Sequence, residues 1–190
     1  MRFKTFVKVT TVTWCCAFIG GFLTGKSAFG DIFNGKPPHN HIECMAKNIY
    51  HEAKSQSLAG QIAVGLVVLN RVKSKNFPND VCKVVYEGPI RESWKTRKDP
   101  SLPKEKRKYY PIRHRCQFSW YCDGFRDDIK EPTVYSKILT VASKVMGGIY
   151  DFTNGATHYH ATYVSPEWTN LEVVMTIDDH IFYKPKSGKK

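Results

Sequence analysis

The sequence predicts a single α+β domain that is mainly helical and carries a small β element. Apolar residues recur at helical spacing in residues 43–53, 58–72 and 132–146. Residues 155–164 alternate as an edge strand or loop would. About 160 residues follow a distinct N-terminal segment, which is enough for one domain with a sizeable core.

Residues 1–30 have the order of a secretory signal peptide: a basic start, an uncharged run over 9–25, and small residues (Ala28 and Gly30) before Asp31. The run is near the lower limit for crossing a bilayer of ~30 Å. A cleaved signal is therefore favoured over a retained signal-anchor, and an anchor that later leaves the membrane stays open. We expect an exported protein in the periplasm or cell envelope, tethered to the membrane if the segment is kept.

The remaining chain is strongly basic. Removing residues 1–30 takes away four of the 29 Lys and Arg and none of the 17 acids, which leaves a formal charge of +8. Such a surface attracts nucleic acid, anionic lipid or a bacterial wall. Because an exported chain rarely meets nucleic acid, we expect a wall or envelope partner, no nucleic acid, and a monomer. A merely solvated basic surface stays open.

The composition also divides the chain into segments. Residues 31–42 are rich in Gly and Pro and indicate a linker, so the domain is expected over 43–183, with a disordered basic tail over 184–190. Residues 88–115 crowd lysines and arginines among prolines. We interpret them as an exposed basic insertion or β-flap that contacts anionic glycan or wall phosphates, or else is a solvated loop.

Glu52 lies at the border of the apolar face of the first helix, next to its expected end. Burial and the negative end of the helix dipole both disfavour a charged carboxylate there. A carboxylic acid that stays neutral near physiological pH can act as a general acid.

The later elements follow from turn and capping residues. Ser57 is a suitable N-cap for the second helix, whose uncharged block, residues 62–69, indicates a buried central helix. A turn at 76–80 leads into a short helical piece over 81–86. Pro132 suits the first turn of a further helix, which Gly147 and Gly148 end.

Four cysteines remain beyond the leader, an even number that suits an oxidising compartment. They allow three pairings, of which we favour Cys116–Cys122, closing a short loop, and Cys44–Cys82, tying the first helix to the segment after the second. A zinc site is the rival, although none of the spacings is of the C-x2-C kind.

Metal-dependent chemistry has partial support. His51-Glu52 begins a zinc-helix motif, but the second histidine would stand at position 55, which is Ser55. His158 and His160 share one side of an extended segment and could share a metal in a zinc amidase, although no third ligand is marked by spacing. We therefore expect no cofactor and no metal.

A second candidate surface has aromatic and amide-bearing side chains. Trp and Tyr rings can stack on sugar rings, while Gln, Ser and Asp hydrogen-bond hydroxyl and acetamido groups. The alternative is a strand that buries Phe118 and Trp120 in the core. The residues concerned are Gln117, Phe118, Ser119, Trp120, Tyr121 and Asp123.

Five separated blocks resemble the SleB-type cell wall hydrolases: NIYHEA (48–53), GQIAVGLVVLNRV (60–72), FPNDVCKVVY (77–86), CQFSWYCDG (116–124) and GATHYHATYVSPEW (155–168). The resemblance implies a lysozyme-like catalytic domain over 43–183 that acts on peptidoglycan. It also implies that Glu52 is the catalytic residue. The blocks at Gln117–Trp120 and His158–His160, with Tyr159 between the histidines, would line the glycan cleft.

The carboxylate count favours a lytic transglycosylase. An ordinary glycosidase uses two carboxylates, and only Glu52 has a clear acid/base placement. Asp123 could supply the second carboxylate of a hydrolytic mechanism, but its place in a turn before Gly124 also explains its presence. A zinc amidase and a non-catalytic wall-binding protein stay open as alternatives. Bacterial wall remodelling and phage lysis fit the sequence equally.

Overall fold

The computed structural model describes residues 39–187. The predicted leader and residues 31–38 of the predicted linker lie outside this range, as do residues 188–190 of the predicted tail. Within 39–187 no helix is long and apolar enough to cross a membrane.

The first helix, α1 (His39–Ala53), begins four residues before the predicted start of the domain, so the linker boundary at residue 42 was wrong. The first turn is polar and carries no apolar periodicity, which is why the pattern missed it. The structure holds this turn through His41, whose Nε2 lies 2.9 Å from a carboxylate oxygen of Asp80. The predicted apolar face is buried as expected: Met45, Ala46, Ile49, Tyr50 and Ala53.

The second helix, α2 (Leu58–Lys73), is the buried centre of the domain, as predicted. The Ser57 side chain caps it by accepting a hydrogen bond from the Gly60 N–H. At Gly65 a side chain would meet Val145 and Ile49 at 3.2–3.3 Å, so glycine lets α1 and the last helix approach α2 closely.

The short helix α3 (Val81–Val85) confirms the predicted helical piece. Both favoured disulfides are present. Cys44–Cys82 joins α1 to α3 with a Cα–Cα distance of 5.3 Å, and Cys116–Cys122 closes its loop with a Cα–Cα distance of 6.1 Å.

The basic segment, residues 88–115, is a β-flap and is called the flap below. Strands β1 (Ile90–Glu92) and β2 (Tyr109–Pro111) pair antiparallel, with Ile90 opposite Pro111. Between them lie the single-turn helix α4 (Trp94–Arg97) and a 3₁₀ turn at Lys104–Lys106.

The last helix, α5 (Pro132–Met146), packs on α1 and α2 and starts at proline as predicted. A three-stranded antiparallel sheet follows, made of β3 (His158–Ala161), β4 (Leu171–Ile177) and β5 (His180–Pro185) in the order β3-β5-β4. The predicted edge strand is confirmed, and the domain is α+β and mainly helical as predicted.

The predicted tail begins too early. Lys184 and Pro185 belong to β5, where Lys184 pairs in register with Glu172 and lies 3.4 Å from its carboxylate. The basic composition of residues 184–190 suggested a disordered tail and so hid the last two paired residues of β5. At the other end of β5, Asp178 in the hairpin turn accepts hydrogen bonds from the backbone and hydroxyl of Ser57, which fastens the sheet to the turn between α1 and α2.

Candidate active site

A cleft of about 550 Å³ opens where α1 ends. One wall is the segment 116–123, and the other is formed by the strands β3 and β5 and the residues just after β3. The cleft brings together most of the side chains singled out in the sequence, together with several that were not. The lining residues are His51, Glu52, Arg71, Cys116, Gln117, Phe118, Ser119, Trp120, Asp123, Tyr159, His160, Ala161, Tyr163 and His180.

Glu52 lies in this cleft on the last turn of α1, half-buried. The hydroxyl of Tyr159 donates a 3.0 Å hydrogen bond to Glu52 Oε2. Burial raises the pKa of Glu52, while the Tyr159 hydrogen bond and the charge of Arg71 partly oppose the rise. The carboxyl group therefore keeps its proton to a higher pH than an exposed glutamate does.

Tyr159 reaches Glu52 because it occupies the core face of β3. It stands opposite Phe182, which is fully buried, in the pairing of β3 with β5. Burial, together with the nearby Glu52 charge, raises the pKa of Tyr159 well above its ordinary value. Tyr159 thus stays a neutral hydrogen-bond donor throughout the pH range in which Glu52 titrates.

Arg71 is the main site residue that sequence reasoning missed. It is almost fully buried on α2, and its Nε donates a 2.7 Å hydrogen bond to the carbonyl of Thr157. Its guanidinium lies over the rings of Phe118 (4.9 Å) and Phe77 (5.1 Å). The available signal was an arginine close after the uncharged block 62–69, because a charged side chain in a central helix is rarely buried without a partner.

The wall formed by residues 116–122 is not a strand. Residues Ser119–Cys122 form a 3₁₀ turn, yet Phe118 and Trp120 are buried, as the core interpretation predicted. Trp120 donates from Nε1 to Asn48 and stacks on His51 at 4.5 Å between ring centroids.

Phe118 and Trp120 are 2% and 7% exposed, and the Arg71 guanidinium and the His51 ring each lie against one of them. Sugar stacking on this wall stays a prediction, and the burial of Trp120 does not favour it. Gln117 and Ser119 are exposed, and they offer the amide and hydroxyl groups of this wall to a ligand. Burial lowers the pKa of His51, whose ring stacks on Trp120.

Asp123 borders the cleft and is also a turn residue. Its Oδ1 accepts a 2.7 Å hydrogen bond from the Phe125 N–H, and its carbonyl accepts one of the same length from Arg113 Nε. Gly124 follows with φ +90°, a conformation that suits glycine. Within residues 39–187, Glu52 and Asp123 are the two carboxylates that line the cleft.

The two histidines of β3 do not act as a pair in the cleft. His158 is absent from the cleft lining in the described chain, whereas the next three residues of β3, Tyr159, His160 and Ala161, belong to it. Its ring instead packs against Phe77 and Trp168. His160 reaches the cleft border at the end of the strand.

Hydrogen bonds also engage the imidazole nitrogens. His158 Nδ1 lies 2.9 Å from the Thr157 hydroxyl, while the two nitrogens of His160 lie 2.8 Å from the Ala161 carbonyl and the Tyr183 hydroxyl. No third ligand joins these histidines in residues 39–187; the metal-sized group found there is His41, Asp80 and Cys82. Cys82 is disulfide-bonded, so its thiolate is not free to bind a metal.

The fold and cleft together define a lysozyme-like, mainly helical domain with an acid at the end of a helix. Two solved structures have this architecture. The catalytic domain of the Bacillus cereus SleB protein aligns with a TM-score of 0.51 and 26% identity, over 77% of this chain and 91% of that domain. The catalytic domain of the germination-specific lytic transglycosylase SleB from Bacillus anthracis aligns with a TM-score of 0.50 and 25% identity, over 78% of this chain and 97% of that domain.

The sequence agrees with the structural likeness. A family profile described as Cell Wall Hydrolase matches residues 55–183, so the chain belongs to the cell wall hydrolase family, as the resemblance implied. Glu52 lies just before the matched range. Spore cortex-lytic enzymes of Bacillus cereus and Bacillus subtilis are 46% identical over 48 residues and 41% identical over 49 residues. These matches cover 25% and 26% of this chain, and 18% and 16% of the relatives' length.

Proposed function

We propose that this protein cleaves the glycan strands of peptidoglycan as a lytic transglycosylase, with Glu52 as its single general acid and base. The observation that carries the proposal is the environment of Glu52: a half-buried carboxyl group in a cleft, with a raised pKa and a neutral hydroxyl donor on one oxygen. The name of the solved Bacillus anthracis relative supports the same reaction class.

The reaction requires one carboxyl group in two protonation states. Protonated Glu52 gives its proton to the glycosidic oxygen that follows N-acetylmuramic acid, and the bond from the anomeric carbon to that oxygen breaks. The Glu52 carboxylate then removes the proton from the C6 hydroxyl, whose oxygen bonds to the anomeric carbon. A 1,6-anhydro sugar forms, and Glu52 regains the proton that it gave.

The placement of Asp123 favours this mechanism over hydrolysis. A hydrolytic glycosidase needs a second carboxylate to attack the sugar or to activate water. One carboxylate oxygen of Asp123 already accepts the hydrogen bond that holds the turn at Phe125. Glu52, whose pKa is raised, is therefore our candidate for the proton donor.

Product analysis of digested sacculi tests the reaction. We expect muramic ends in the 1,6-anhydro form, and reducing muramic ends without anhydro sugar would overturn the transglycosylase assignment. Glu52→Gln should abolish lysis while keeping the fold, because an amide cannot donate the proton. Asp123→Asn is the matched control, since its amide oxygen can still accept the Phe125 hydrogen bond, and it should keep the anhydro product.

Two other functions make different predictions. A zinc amidase would release stem peptides in a chelator-sensitive reaction. The hydrogen bonds at His158 Nδ1 and at both nitrogens of His160 do not favour it. A non-catalytic wall-binding protein would bind sacculi without lowering their turbidity. Either result would replace the transglycosylase assignment.

The substrate places the working protein outside the cytoplasm, at the cell wall. We infer export through residues 1–30, and the sequence of the mature N-terminus tests it. A start at or near residue 31 indicates cleavage, whereas retention of residues 1–30 with the protein in the membrane fraction indicates a tether.

A further inference from the structure

Within residues 39–187 the net positive charge is concentrated in the flap. Residues 88–115 carry ten lysines and arginines against three acids, whereas the rest of the described chain carries twelve against thirteen. The flap therefore holds the whole net charge of residues 39–187. A solvated loop chosen only for solubility would not need this segregation, because charges of both signs spread over a surface serve that purpose.

The flap also has a groove of its own, with a volume of about 530 Å³. Trp94 and Tyr110 line it and are 56% and 54% exposed, so their rings are available to a ligand. The groove is lined by Arg91, Glu92, Ser93, Trp94, Lys95, Arg97, Tyr110 and Pro111.

The three cationic side chains that line this groove are available to bind an anion. Glu92, the acid of the groove, already pairs with Arg107 at 2.8 Å. Arg91, Lys95 and Arg97 are exposed and form no ion pair within residues 39–187. Guanidinium groups bind carboxylates through two parallel hydrogen bonds, which makes the groove suited to acidic groups.

A short stretch of chain connects the groove to the border of the proposed active site. Pro111 lines the groove, and Arg113, two residues later, donates a hydrogen bond to the Asp123 carbonyl at the cleft border. Two residues span at most ~7 Å. The base of the flap is also fixed to the cleft wall, because the Gln117 N–H donates to the Glu87 carbonyl.

From this geometry we propose that the flap groove binds the acidic peptides that branch from a peptidoglycan strand held in the cleft. The inference rests on the proposed function. A peptide joined to the bound strand is held close to the groove by its covalent link, which raises its local concentration. A free phosphate polymer or a bilayer has no such link to the cleft.

The test compares glycan strands that carry their peptides with the same strands after enzymatic removal of the peptides. The full chain is assayed beside the variant Arg91→Gln/Lys95→Gln/Arg97→Gln. A control, Lys75→Gln/Lys137→Gln/Lys144→Gln, removes three exposed charges outside the flap. Thermal melts check that both variants are folded.

We expect the wild type and the control to prefer strands with peptides. The flap variant should lose roughly tenfold in kcat/KM on those strands, mainly through KM, because each exposed charge contact contributes modestly. Its preference for peptide-bearing strands should then vanish, and high salt should lower the wild-type preference in the same way.

Three outcomes would overturn the inference: an unchanged preference in the flap variant, an equal loss on strands without peptides, or a loss that disappears once wall phosphate polymers are stripped. If the wild type cleaves neither substrate, the proposed function fails. Co-sedimentation with the two kinds of strand then decides the flap inference separately, since peptide-dependent binding that the flap variant loses would still support it.

Discussion

At the scale of single residues, the pKa of Glu52 is set by three influences with opposing effects. Burial favours the protonated acid that would start the proposed reaction. The hydroxyl of Tyr159 and the charge of Arg71 favour the carboxylate that the second step of the proposal uses. The site therefore supports both states of one carboxyl group, as a single acid and base requires.

Replacing Tyr159 by Phe should shift the pH dependence of the reaction. In the proposed mechanism the free enzyme needs protonated Glu52, so kcat/KM should fall as pH rises through the pKa of Glu52. Removing the donated hydrogen bond raises that pKa further, so the falling limb should move to higher pH. The measurement is kcat/KM across the acidic to neutral range.

Tyr135→Phe provides the control, since Tyr135 lies on α5 and its hydroxyl makes no hydrogen bond to Glu52. Its pH profile should match that of the wild type. A falling limb that stays in place in Tyr159→Phe, or moves to lower pH, would show that the Tyr159 hydroxyl does not set the pKa of Glu52.

Glu52 was predictable from the sequence because its surroundings are local: an apolar helix face and a helix end. The Tyr159 contact was not, since it joins residues 107 positions apart and depends on which face of β3 points inward. Sequence chemistry singled out both histidines of β3, but in the described chain the cleft is lined by Tyr159 and His160 and not by His158. Arg71 escaped because its partners, Thr157 and the rings of Phe77 and Phe118, come together only on folding.

At the scale of secondary-structure elements, α2 controls how closely the other helices pack. It touches α1 and α5, and the absence of a side chain at Gly65 lets Ile49 and Val145 approach its backbone. Because Ile49 is one turn before Glu52 on α1, this close packing also fixes the position of the candidate acid.

Gly65→Val should destabilise the domain by about 1–3 kcal/mol, because the added atoms overlap with Ile49 and Val145 in a packed core. Ala59→Val places the same residue at an exposed position of α2 and should have only a small effect. Urea unfolding measures both free energies. Equal losses in the two variants would mean that helix propensity, and not packing, governs position 65.

The helices were predicted well because periodicity and capping residues report them directly, as at Ser57 and Pro132. The errors lie where polar composition hid regular structure. The first turn of α1 and the end of β5 are polar or basic, and tertiary contacts order both. The 3₁₀ turn at Ser119–Cys122 buries Trp120 without the alternation of a strand or the spacing of an α-helix. Hydrophobic periodicity therefore could not reveal it.

At the scale of the whole molecule, the two disulfides have different tasks. Cys44–Cys82 spans 38 residues and joins two helices of the core, whereas Cys116–Cys122 spans six and shapes one wall of the cleft. Loop-closure entropy makes the longer crosslink the more stabilising one.

Replacing both Cys44 and Cys82 by Ala should therefore lower the free energy of unfolding by up to about 4 kcal/mol, against about 2 kcal/mol for the Cys116/Cys122 pair. The second pair should cost more activity per unit of stability, since it holds Gln117 and Ser119 in the cleft wall. Denaturant titrations and sacculus lysis assays on the two double variants give the ranking, and a reversed order of stability would refute it.

The charge of residues 39–187 is unevenly distributed, with a cationic flap and a nearly neutral remainder, and such a distribution gives a molecule an electric dipole. A polyanionic surface exerts a torque on such a molecule before any contact forms. The domain would then arrive flap first, and the short span from Pro111 to Arg113 means that the cleft arrives with it. The placement of charge in the described chain would then influence the orientation of an encounter as well as its frequency.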